Sequence, residues 1–122
     1  MSLNEQSKNI PYTLGRLFSV LEDIQQAANP EINATIKDKY FNSAAATPAN
    51  VFPLLLNLAQ KHLRKLETGK RIYLESQIAP LTGIVGEQFP VRLNLPEQGS
   101  FQLGYYFQTQ KRYQKKEDKD NG

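Results

Sequence analysis

The chain's 122 residues suit one domain, large enough to bury roughly two-thirds of its unfolded surface without staples. It has no cysteine, which excludes disulfides and thiolate metal sites and makes a reducing compartment the default. A net charge of +3 names no partner by itself; no run nears ~18 apolar residues and the opening MSLNEQSKNI has no hydrophobic signal region, so the chain reads as soluble and cytoplasmic, with no membrane partner.

Residues 1–10 read as a disordered leader. A first helix is predicted from Pro11 to Ala28, because Leu14, Leu17, Phe18, Leu21 and Ile24 recur at helical spacing. Asn29-Pro30 stops it, since a residue before proline avoids the helical region. A second helix is expected over Asn33–Ala45, with Ile36, Tyr40, Phe41 and Ala44 inward. Thr47-Pro48 reads as the N-cap and first residue of a third helix carrying Val51, Leu54, Leu55, Leu58 and Leu66 on one face. Pro53 must kink that helix or move its start to about Asn50. Thr68-Gly69 reads as its stop. A fourth helix fits Lys70 to about Ala79, using Ile72, Leu74 and Ile78. Pro80 to Leu93, with Pro80, Gly83, Gly86 and Pro90, reads as the main irregular connection. Asn94 and Glu97 have capping-box spacing and open a fifth helix reaching about Lys116. Residues 117–122 read as a charged, frayed tail. Strand signals are scarce. The expectation is all-α: a compact bundle of about five helices over 11–116.

The stretch QGSFQLGYYFQTQ, residues 98–110, holds five large apolar residues, four glutamines and no charge. On a helical wheel Phe101 and Tyr105 point one way, Leu103 and Phe107 nearly the opposite way, and Tyr106 lies between. A helix apolar on several sides is enclosed on several sides. It is therefore expected to be the central helix of the bundle, or one completed by partner chains through Phe101, Tyr105, Tyr106 and Phe107.

No catalytic or cofactor constellation is visible. His62 lies within the leucine stripe of the third helix and reads as a packed or boundary histidine, not a base or ligand. Glu22 and Asp23 diverge by about 100° on a helix, so they read as a solvated face rather than paired acids. Thr82-Gly83-Ile84-Val85-Gly86 contains the GxxG spacing of an RNA-clamping loop but lacks that module's strand context, and reads as a flexible loop.

The basic residues are better organised. Lys61, Arg64 and Lys65 fall on one flank of the third helix, and Lys70 and Arg71 follow. A second cluster is Lys111, Arg112, Lys115 and Lys116, interleaved by Tyr113 as a base-stacking side chain could be. Such clusters can neutralise phosphates and release counterions. No sequence-reading signature accompanies them, so any contact is expected to be with backbone and shape.

Two strings carry a resemblance: NPEINATIKDKYFNSAAATP and EQGSFQLGYYFQ. With their surroundings, from about Tyr12 to Gln110, they resemble the C-terminal helical region of the large subunit of the type I-C CRISPR Cascade. A separate chain of this kind resembles that system's small subunit, which shares the large subunit's C-terminal sequence. The resemblance implies a helical bundle without enzymatic activity or cofactor. It implies a place in the inner belly of the complex, several copies in a row, beside the large and backbone subunits. It also implies support of the guide RNA–target DNA heteroduplex and the displaced strand. The two basic clusters are then the expected nucleic-acid contacts, and the charge-poor aromatic helix is expected to supply core and neighbour contacts. The alternative is a purely structural spacer that touches no nucleic acid.

Overall fold

Asn9 opens α1 (Ile10–Ala28) by accepting a 2.9 Å hydrogen bond from the Tyr12 amide, with Pro11 in the first turn. The structure, a computed structural model, describes residues 2–121, and side-chain surroundings over 2–114. Four more helices follow: α2 (Ile36–Ala46), α3 (Pro48–Leu63), α4 (Thr68–Val85) and α5 (Leu95–Asn121). Among the described residues there is no strand. The all-helical bundle is as expected.

The central helix is α1, not the expected glutamine-rich helix. Every residue from Thr13 to Glu22 is buried. Leu14, Leu17, Phe18, Leu21 and Ile24 form the expected stripe, and the opposite side is closed as well, over Gly15, Arg16 and Ser19. Small residues allow this. A Cβ placed on Gly15 would lie 1.9 Å from the Phe101 carbonyl oxygen, and one on Gly104 would lie 2.0 Å from that of Tyr12. Thus α1 and α5 touch through their main chains. Arg16 and Ser19 remain satisfied there: Arg16 donates to Gln108 at 2.9 Å, and Ser19 shares a 2.7 Å hydrogen bond with Thr109.

Phe18 is the hub of the core. Its ring meets Phe41, Phe52, Phe101 and Tyr105 edge-on, with centroids 5.5 to 6.4 Å apart. Phe101 and Tyr105 therefore lie inside this chain's own core, at 0% and 8% exposure.

Three boundaries differ from the sequence reading. Thr35, not Asn33, caps α2, in a capping box with Asp38. Thr68-Gly69 does not stop α3. That helix ends at Leu63, where tight i→i+3 bonds from Lys65 to His62 and Leu66 to Leu63 turn the chain, and Thr68 begins α4. Pro80 and Gly83 lie within α4, which ends only at Gly86, the one residue with positive φ (+86°) among those described. Proline there forgoes a single backbone bond, and neither Pro80 nor Gly83 faces the core. The GxxG spacing is thus the end of a helix, not a loop. Likewise α3 continues through Pro53, and α5 runs beyond Lys116.

The short connection 86–94 is fastened down. The Pro90 carbonyl accepts from the Ala49 amide, and the Leu93 amide donates to Ala46. Phe89 stacks on Phe52 at 5.4 Å. Asn94 and Glu97 form the expected reciprocal cap of α5, both bonds 2.8 Å long.

Candidate nucleic-acid interface

One open groove of about 1120 Å³ runs between α1, the start of α4 and the distal part of α5. Ser19, Asp23 and Gln26 contribute from α1; Lys70, Tyr73 and Gln77 from α4; and Lys111, Arg112 and Tyr113 from α5. Residues of the two basic clusters, some 40 positions apart in sequence, thus share one concavity. Each wall pairs a cation with an aromatic ring. The Lys70 ammonium lies 5.7 Å from the Tyr73 ring centre, and the Arg112 guanidinium 5.1 Å from that of Tyr113.

The two α5 cations are not alike. Lys111 pairs on the surface with Glu5, N-terminal to α1, a contact worth little in water. Arg112 is held inward: it donates to the Ser19 carbonyl at 3.0 Å and lies 3.7 Å from a Glu22 carboxylate oxygen. Glu22 is 4% exposed and also accepts from the Tyr105 phenol at 2.6 Å and the Thr35 hydroxyl at 2.9 Å. The expected solvated acidic face is therefore half wrong. Asp23 lines the groove, but Glu22 is a buried anchor whose charge is met by two hydrogen-bond donors and the Arg112 ion pair. Burial first, then the hydrogen bond to Glu22, pushes the Tyr105 phenol well above its ordinary value.

The other named residues lie elsewhere. Lys61, Arg64 and Lys65 are exposed at the end of α3 and its following turn, outside the groove lining, and Arg71 is half-buried. Lys115 and Lys116 fall outside the residues whose side chains are described. Of the four aromatic interface candidates, only Tyr106 is exposed, at 55%; Phe107 is half-buried beside it, with ring centres 5.6 Å apart. Phe107 also lines a small hollow with Leu3 and Glu5, N-terminal to α1. His62 is half-buried with its Nδ1 unpartnered, and burial followed by the nearby Lys65 charge lowers its pKa. Among the described residues, no three His, Asp or Glu side chains gather as a metal site would require, and no helix is long and apolar enough to cross a membrane.

Sequence reasoning misplaced Glu22 on a solvated face and missed Tyr73 and the Gly15–Gly104 crossing. The glycines carried the only readable signal: isolated glycine in a helical pattern implies close packing or a functional constraint.

No curated protein matches the chain. A family model described as CRISPR-associated protein (Cas_Csd1) matches residues 1–113, which include all five helix starts and the whole described groove. By that match the chain belongs to the Cas_Csd1 family of CRISPR-associated proteins, subunits of the type I-C Cascade.

Proposed function

We propose that this chain is the non-catalytic small-subunit unit of its Cascade, acting in the cytoplasm to support the R-loop. It sits beside the large and backbone subunits, with further copies in a row, and steadies the displaced strand and the heteroduplex through sequence-independent contacts. One observation carries the reading: Lys70, Lys111 and Arg112 share a groove with Tyr73 and Tyr113. Cations that track a phosphate backbone, with rings on which bases can stack, are the combination used to hold single strands without base preference. In guide-RNA complexes base pairing reads the sequence, and protein supports the backbone. The exposed Lys61, Arg64 and Lys65 form a second, more open cationic edge.

The test is charge reversal in the assembled complex. Lys70→Glu with Lys111→Glu should lower R-loop yield on matched target, with the gap from wild type narrowing as salt rises, while subunit assembly is retained. Reversal of Lys61, Arg64 and Lys65 should have the smaller effect. An unchanged yield for both sets, with assembly intact, overturns the reading.

The spacer reading has one observation in its favour: Lys111 and Arg112 already have acidic partners, Glu5 and Glu22, within the chain. Crosslinking of assembled complex to the displaced strand separates the two. A spacer gives no crosslink to this chain.

A further inference from the structure

Arg112 is the most firmly held cation of the groove, and the residue responsible lies beneath it. Glu22 has no access to the groove lining, yet its carboxylate is fixed from three directions by Tyr105, Thr35 and Arg112. The guanidinium is held by that charge and by the Ser19 carbonyl. A planar guanidinium fixed at two points keeps one orientation, and here it lies over the ring of Tyr113, which is half exposed to the groove.

We propose that Glu22 is a positioning residue: it holds Arg112 against Tyr113 so that the pair forms a preset stacking platform for an unpaired nucleobase. This deepens, and rests on, the nucleic-acid reading of the groove. Lys70 over Tyr73 on the opposite wall supplies a matching cation–aromatic pair, attached to a mobile ammonium rather than a held fork. Bases within a duplex already stack on each other, so a platform of this kind rewards only single-stranded nucleic acid.

The test compares two probes of equal length on the full chain: oligodeoxythymidine and an abasic sugar-phosphate strand. Wild type should bind the thymidine strand at least about fivefold more tightly, the low end of what one stacked base contributes. Glu22→Gln keeps an acceptor for Tyr105 and a polar group for Thr35 but removes the charge that holds Arg112. It should bring the ratio of the two affinities toward one. Electrostatics alone would tighten both probes, because a negative charge near the groove is lost, and would leave the ratio unchanged. A merely structural role would weaken both in proportion, with a lower Tm; either result overturns the proposal.

Two further measurements keep the question open if Glu22→Gln folds poorly. Arg112→Lys retains the charge but not the fork, and should lose the thymidine preference likewise. In the unbound chain, the Arg112 Nη protons that face Ser19 and Glu22 should exchange slowly with solvent in wild type; rapid exchange there refutes the positioning directly. If wild type binds both probes equally, the platform alone falls. If it binds neither, the nucleic-acid reading falls and the platform with it.

Discussion

The Tyr105 phenol donates a 2.6 Å hydrogen bond to the Glu22 carboxylate, joining α5 to α1 where both residues are under one-tenth exposed. Tyr105→Phe removes one donor from a buried anion and leaves the packing almost intact. A hydrogen bond to a charged group contributes about 1.5–3 kcal/mol. The unfolding free energy of Tyr105→Phe should fall by that amount, read as a lower denaturant midpoint at an unchanged slope.

The same pair gives an alkaline signature. An unfolded tyrosine titrates near ~10, whereas in the fold Tyr105 keeps its proton to higher pH. Through that interval the native state binds more protons than the unfolded state, so stability present at neutral pH is lost as pH rises. Urea unfolding followed from pH about 9 to about 11 should show this decline. It should be shallower in Tyr105→Phe.

The glycines of the α1–α5 crossing should tolerate no side chain. A methyl at Gly15 or Gly104 meets main-chain atoms, which cannot rotate away. Overpacking of this kind costs about 3 kcal/mol or more, so Gly15→Ala and Gly104→Ala should each melt at least about 10 °C lower. Gly83 is the control. It lies in α4 with nothing within 4 Å of a Cβ, so Gly83→Ala should stabilise by about 0.5–1 kcal/mol.

Phe18 meets four other rings and is fully buried. Phe18→Ala should cost about 3–5 kcal/mol, read as a lowered urea midpoint. Tyr106→Ala, at an exposed site, should cost far less.

The Lys70 ammonium lies over the Tyr73 ring and borders the groove. If it neutralises one phosphate of a single strand, Lys70→Ala should reduce the slope of log affinity against log salt by about 0.7. Titrations of oligodeoxythymidine at several salt concentrations measure that slope.

The helices and the apolar hub were legible because their signals are local. Leu14, Leu17, Phe18, Leu21 and Ile24 advertise a helical stripe, and Asn94 with Glu97 advertises a cap; both appear as expected. Boundaries failed where two signals coincided. Gly69 and Pro80 read as breaks, yet a helix absorbs one missing bond when the residue points to solvent. The burial of α1 was illegible for a different reason. Arg16, Ser19 and Glu22 look solvent-facing until Gln108, Thr109 and Tyr105, about 90 positions away, supply their partners. Lys70 and Lys111 could be recognised as basic, but only the fold shows that they border one groove.

The two backbone bonds that fasten 86–94 to Ala46 and Ala49, with Phe89 laid on Phe52, give the covalent link before α5 little mechanical work to do. A protease that nicked the exposed stretch at Gly86 or Glu87 would produce two fragments that stay clasped, since Leu93 and Pro90 remain attached to the piece bearing α5. Cleaved and intact protein would then elute together and separate only after denaturation.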